Sequence, residues 1–302
     1  DSFVKDVKKN LQAIKDAMVK KAMADSGLTS GHLSATTVGK IIDKFIIGPT
    51  HKAEGGWSDH PSDGGGPTMR GVTLSSFRGS FDRIFISTGV KDVVSAANTF
   101  KKLGWAIGDV GTAEWETGKQ VLYKVCDDAD ISSLWIFAFA TSKANKYPAA
   151  IMASEPYLGY LMHCFGWASG AGYFELYKCS QALKPIGYTS KTSIAATVRQ
   201  AVIFSDKSLT TDTAFPVSLQ LLQNKFNWII NSTQPGMKNE PFREGWLNRL
   251  IYNPSISYTH NLVNFANLFE DGTIASTSEE QDFLSAKAKL YKQTVITFPD
   301  IT

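Results

Sequence analysis

The chain has 302 residues, 43% hydrophobic and 20% charged, with a formal net charge of +3. A globular protein of this length buries about 75% of its unfolded surface, as one large domain or two small ones. So small a charge gives no argument for nucleic acid, no RNA- or DNA-binding signature is present, and no apolar run is long enough to span a membrane.

Val4, Val7, Leu11, Ile14 and Met18 recur at three- and four-residue steps. They predict one amphipathic helix of roughly 20 residues, with Lys5, Lys8, Lys9, Lys15, Lys20 and Lys21 on its outer face. Ser26-Gly27 through Ser30-Gly31 reads as a linker. Val38 to Ile47 predicts a second helix, with Ile41, Ile42, Phe45 and Ile46 inward, broken at Gly48-Pro49. Pro49 suits the first position of a new helical turn carrying His51 and Glu54, and Gly55-Gly56 suits its end. On that turn His51 reads as a solvent-facing histidine.

Pro61, Gly64, Gly65, Gly66, Pro67 and Gly71 keep residues 57 to 73 out of a helix. Trp57-Ser58-Asp59 and Met69 to Val72 predict a small hairpin or an irregular β loop. Thr73 is a good N-cap for a helix holding Leu74, Phe77 and Phe81. Beyond Val90 the pattern is mainly helical, with candidates at 90–103, 112–125, 131–145, 155–167, 173–183, 190–204, 213–231 and 240–252. Ser278-Glu279-Glu280-Gln281 reads as a capping box that opens a helix through Lys292. Phe283, Ala286 and Leu290 would share one face of it, and an extended tail follows. Cys126, Cys164 and Cys179 are too few for a disulfide framework and lack zinc spacing; they read as reduced and mostly buried, with a single disulfide as the alternative.

The unusual stretch is residues 51 to 73, "HKAEGGWSDHPSDGGGPTMRGVT". A glutamate at a helix end, shielded by apolar neighbours, can stay protonated and donate a proton. Flanking glycines leave room for a bulky polymer, and a second carboxylate on a facing loop can activate water or stabilise charge on a sugar ring. Glu54, Asp63 and Thr68 supply acid, second carboxylate and water-orienting hydroxyl in chain order. On spacing alone, an acidic surface loop accounts for the same residues. An EF-hand does not, because alternating acidic positions and the closing glutamate are missing. Neither a His-Glu-x-x-His metal motif nor a Gly-x-Ser-x-Gly elbow occurs. His163, on an apolar helix, reads as a buried histidine rather than a ligand.

The wording of this stretch resembles the signature of glycoside hydrolase family 108, the bacterial and phage N-acetylmuramidases. Glu54-Gly55-Gly56-Trp57, Pro61, Asp63, Gly65-Gly66, Thr68 and Gly71-Val72-Thr73 carry the resemblance. "FGWASGAG" at 165–172 and "NEPFREGWLNRL" at 239–250 add two later motifs in the same order. Two positions depart from the family: His60 stands where an aspartate is usual, with Asp59 beside it, and Gly64 replaces a proline.

The resemblance implies a mainly α (α+β), lysozyme-like fold with a small β element beside the cleft. It divides the chain into an N-terminal helical extension (1–35), a muramidase domain (36–252) and a C-terminal extension (253–302). It implies a peptidoglycan hydrolase cutting the β-1,4 bond between N-acetylmuramic acid and N-acetylglucosamine, with Glu54 as general acid, Asp63 as second carboxylate and Thr68 positioning water. Gly55, Gly56, Trp57, His60, Arg70 and Trp167 are the candidate substrate contacts, whereas Trp246 reads as core. No metal or organic cofactor is called for. The implied partner is bacterial peptidoglycan, met in the periplasm or cell wall by a phage endolysin or a virion-associated lysin. In the second setting the two extensions would dock on phage structural proteins. The contrasting reading is a lysozyme-like structural or wall-binding module whose site has decayed; a third is an enzyme of chitin or chitosan.

Overall fold

The computed structural model describes residues 2–27, 31–60, 66–104, 108–145, 147–169 and 211–300. The candidate helices at 173–183 and 190–204, together with Asp63, Gly64, Gly170, Gly172 and Cys179, lie outside the described residues. The protein is mainly helical with one small antiparallel sheet, the class expected from the sequence. It divides into two compact units, each discontinuous in sequence. The first holds residues 1–25 and 42–142, the second 26–41 and 143–302.

In the first unit the predicted N-terminal helix is two helices, α1 (Ser2–Lys9) and α2 (Leu11–Ser26), meeting at Asn10. Phe3 and Val7 point inward from α1. Phe3 joins an aromatic cluster with Phe81, Phe85 and Phe100, at ring-centroid distances of 5.7, 5.1 and 4.5 Å. The lysine face is not wholly outward. Lys15 is buried, with its ammonium 2.7 Å from Asp43 and 4.8 Å from the centre of the Phe137 ring.

The break expected at Gly48-Pro49 does not occur. Helix α3 (Ala35–Ile42) passes through a π turn (Asp43–Ile47) directly into α4 (Gly48–Glu54). Pro49 has no N–H for the carbonyl of Phe45, and its ring would strike that carbonyl in a regular α-helix. A wider turn at this point relieves the clash without ending the helix.

After α4 come β1 (Trp57–Ser58), β2 (Thr68–Met69) and β3 (Val72–Thr73), a meander in the order β1-β2-β3 rather than a single hairpin. Trp57 pairs with Met69 and Ser58 with Thr68; Thr68 pairs with Thr73 and Met69 with Val72. Thr73 caps α5 (Leu74–Phe85) as expected, its hydroxyl accepting from the Ser76 N–H at 3.1 Å. The unit is completed by α6 (Lys91–Lys101), α7 (Ala113–Cys126) and α8 (Ala129–Ala140). Phe77 stacks on Trp135 of α8 at 5.0 Å, so α5 and α8 share the aromatic core.

The second unit contains α9 (Pro148–Met152), α10 (Pro156–Ser169), α11 (Thr211–Ser232) and a 3-10 turn (Glu240–Phe242). These are followed by α12 (Arg243–Leu247), a π turn (Asn248–Tyr252), α13 (Tyr258–Glu270) and α14 (Ser278–Gln293). Helix α13 has no counterpart among the sequence candidates. Its Asn261, Asn264 and Asn267 are weak helix formers, and its Leu262, Phe265, Ala266 and Phe269 face inward. The cap of α14 falls one residue earlier than expected, on Thr277, whose hydroxyl accepts from the Glu280 N–H at 3.2 Å.

The buried face of α14 is Glu280, Leu284, Lys287, Ala288 and Tyr291; of Phe283, Ala286 and Leu290, which share another side, Ala286 is exposed. Two charged residues stand on the inner face. The Glu280 carboxylate accepts from the Thr37 hydroxyl at 2.7 Å and the Ser276 N–H at 2.6 Å, and the ammonium of Lys287 and the phenol of Tyr291 both bond the fully buried Glu155. Burial pushes the Glu155 carboxyl above its ordinary value, and the Lys287 ammonium opposes that shift. Trp246 is half-exposed rather than core, stacked between Trp228 at 5.0 Å and Phe242 at 5.6 Å. Cys126 and Cys164 are free thiols.

Removing one member of a buried ion pair leaves the other charge uncompensated. Lys287→Ala is expected to lower stability by about 3–5 kcal/mol, read from urea unfolding. Replacing both partners, Glu155→Leu with Lys287→Met, is expected to recover most of that loss.

Candidate active site

Glu54 is the last residue of α4, and the helix stops there because Gly55 takes φ 69° and ψ −154°, a region open essentially to glycine alone. Helix α4 buries none of its residues. Glu54 is exposed, not shielded by apolar neighbours as the sequence suggested. Its position is set by the β2–β3 turn. A methyl group added at Gly71 would stand 2.8 Å from Cγ of Glu54, 3.2 Å from Cβ and 3.3 Å from Cδ. The glutamate therefore lies across the bare α-carbon of Gly71. Beside Gly55 and Gly56 an added methyl would meet nothing within 4 Å, so the chain is open to solvent there.

The turn beneath Glu54 has two central residues with positive φ, Arg70 at 48° and Gly71 at 80°. That is the signature of a tight two-residue hairpin turn. Arginine rarely adopts it, at a cost of about 1–2 kcal/mol. Arg70 is held there by its guanidinium: Nε donates to the Asp127 carbonyl at 2.8 Å, and another nitrogen lies 4.0 Å from the Asp127 carboxylate. Arg70, a candidate substrate contact, thus has a structural anchor at the end of α7.

Successive turns of α7 hold the rest of the meander. Lys119 pairs with Asp59 at 2.9 Å and with Glu116 at 3.0 Å. Those hydrogen bonds keep the Lys119 ammonium above its ordinary value. Asp59 is therefore an ion-pair partner beside His60, which is itself exposed. One turn on, Tyr123 meets Trp57 edge to face, with ring centroids 5.6 Å apart. Gly66, at φ 69°, faces the Trp115 ring at the start of the same helix.

Thr68 is half-buried on β2, and its hydroxyl donates to the Gly66 carbonyl at 2.9 Å. With its proton so engaged, the oxygen keeps lone pairs to accept from a water. His51 is half-buried rather than solvent-facing, with Nε2 3.1 Å from the Ser132 hydroxyl. Ser132 gives its own proton to the Ala129 carbonyl, which leaves Nε2 of His51 as the donor. Burial and the nearby Arg70 charge lower the His51 pKa from its ordinary value, against a smaller opposing effect of Asp130. Among the described residues no group of three His, Cys, Asp or Glu stands together to hold a metal ion.

Glu54, Gly55, Gly56, Trp57, Thr68 and Arg70 are thus gathered around one α4–meander junction. Asp63 lies outside the described residues. Trp167 belongs to the second unit, where it stacks on the buried His163 at 6.0 Å; burial drives that histidine down to about 3. The sequence reading missed Lys119 and Tyr123, because a lysine and a tyrosine on a helix of mixed polarity carry no local signal. It also passed over Gly71 as a packing position, although the Arg70-Gly71 pair next to a short strand was a usable cue.

With this geometry in view, residues 47–128 match the family model described as Glycosyl hydrolase 108. That stretch belongs to glycosyl hydrolase family 108. The chain is accordingly a glycoside hydrolase, at family level one that acts on peptidoglycan. The matched residues run from the end of the π turn, through α4 and the meander, to the start of α8. Neither a curated protein nor a solved structure matches the chain. No described helix is long and apolar enough to cross a membrane.

Gly71→Ala is expected to cost about 1–2 kcal/mol for the positive φ and to displace the Glu54 side chain. Clearing of a cell-wall suspension should fall at least roughly tenfold, about 1.4 kcal/mol in the barrier. Gly89→Ala is the control. Gly89 has φ 72° and an added methyl there meets nothing within 4 Å, so the same backbone strain should leave the clearing rate per folded molecule unchanged.

Proposed function

We propose that this glycoside hydrolase is an N-acetylmuramidase, cutting the β-1,4 bond between N-acetylmuramic acid and N-acetylglucosamine. Glu54 acts as general acid. The observation that carries the reading is the Glu54 side chain laid across Gly71 at an open, glycine-flanked helix end, three residues from the exposed ring of Trp57. A polysaccharide laid along this open side covers the exposed Glu54 side chain. Within that cover Glu54 protonates the leaving glycosidic oxygen. Asp63, carried by the family resemblance, is the second carboxylate. Thr68 accepts a hydrogen from the attacking water and so turns the water's lone pair toward the sugar. The separation of the two carboxyl groups decides whether the configuration is retained or inverted.

For the biological setting we favour a phage endolysin or a virion-associated lysin acting at the bacterial cell wall. Residues 1–35 and 253–302 would be the segments that meet phage structural proteins. The exposed Lys5 and Lys9 on the outer side of α1 suit such a contact.

A second reading, a wall-binding module that no longer cuts, draws on His60 at the family's aspartate position and on the engagement of Asp59 by Lys119. A zymogram on purified peptidoglycan separates the two. A cleared band is expected, and its absence would favour the binding module. Glu54→Gln is expected to reduce lysis by at least roughly a hundredfold, the usual lower bound for losing a general acid, with the fold intact. Mass spectrometry of digested sacculi should show N-acetylmuramic acid at the new reducing ends; N-acetylglucosamine there would overturn the bond assignment.

A further inference from the structure

Trp57 and Tyr123 come from elements 66 positions apart in sequence, yet their rings touch at 5.6 Å with an interplanar angle of 77°. Both stay in water, at 39% and 44% exposure. Two large rings that reach each other but are not covered leave apolar surface unused by the fold. Their perpendicular setting places two differently oriented ring surfaces at one corner. The corner is braced from below, because Trp57 is hydrogen-bonded into the meander opposite Met69 and Tyr123 sits on α7. It is also rimmed with charge: Lys119, one turn before Tyr123, holds Asp59 and Glu116. Apolar faces beside a few fixed polar groups are what an oriented small-molecule site needs.

We propose that Trp57 and Tyr123 form a saccharide subsite for an N-acetylated hexosamine, with Tyr123 as a substrate-positioning residue. This rests on the reading of Glu54 as the acid of a glycan hydrolase, which supplies a β-1,4-linked polymer at this place. The pyranose has one face made of axial C–H bonds, which stacks on an aromatic ring. The methyl of its acetamido group is a second apolar surface, at an angle to the first. Two rings at 77° offer one surface to each. A deacetylated sugar would lose the second contact and bring an ammonium into the same corner. The rim of Asp59, Glu116 and Lys119 supplies donors and acceptors for ring hydroxyls.

The test is calorimetric titration of the full chain in the Glu54→Gln background with the β-1,4-linked N-acetylglucosamine tetramer and, separately, its deacetylated counterpart. Adding Tyr123→Ala is expected to weaken binding of the acetylated tetramer by roughly tenfold, and Tyr123→Phe to keep it within about twofold, as loss or retention of one aromatic contact requires. The parent should prefer the acetylated tetramer. Equal binding by the Tyr123→Ala variant, or equal binding of the two tetramers by the parent, overturns the subsite. Mass spectrometry of the titrated mixture reads the other question separately. If Glu54→Gln still cuts the glycan, the assignment of the acid fails while the titration continues to decide the subsite. A parent that binds neither tetramer overturns the subsite, and wall lysis by the wild-type chain then decides the hydrolase reading by itself.

Discussion

The contact between Glu54 and the bare α-carbon of Gly71 is the constraint on which the candidate site depends. It requires a residue without Cβ at the second central position of the β2–β3 turn, and that position also demands a positive φ. Glycine meets both needs at once. The first central position, Arg70, meets its backbone demand only because the Asp127 carbonyl holds its guanidinium. From there the dependence runs along α7, which anchors the meander at Asp59, Trp57 and Arg70 through successive turns. The short strands, two residues each, have little stability of their own. Helix α7 is what makes them a fixed floor rather than a loop.

The sequence made the parts of this site legible but not their assembly. The end of α4 at Gly55, the cap at Thr73 and the non-helical character of the stretch between them follow from glycine and proline chemistry, which acts locally. The packing of Glu54 on Gly71 joins residues 17 positions apart through a turn whose type depends on Arg70, an unusual residue there. The α7 contacts join positions about 60 apart, and nothing in the local pattern of α7 marks Lys119 or Tyr123 for that role. The shielding expected of Glu54 fails for the same reason: burial is a property of the assembled neighbourhood, and α4 lies near the surface with none of its residues fully buried.

Elsewhere, hydrophobic periodicity located most helices but could not show where a lysine turns inward to meet a carboxylate. Lys15 with Asp43, and Lys287 with Glu155, put lysines on inner faces that a polarity count assigns to solvent. In each case the partner comes from a distant segment, so the pairing is invisible along one helix. The asparagines of α13 hid a good apolar stripe from propensity, and the packing of Phe265 and Phe269 against Tyr157 and Tyr291 overrides that weakness.

The π turn at Asp43–Ile47 sets the rotational phase of α4, which continues directly from it. A π turn carries one more residue than an α turn over the same rise. Excising a single residue between 43 and 47 would remove the extra residue that accommodates Pro49 and would turn α4 by about 100° about its axis. Glu54 would then leave its seat over the hairpin, although every residue of the family signature were still present. Spacing upstream of the signature therefore bears on where Glu54 sits as much as the letters within it.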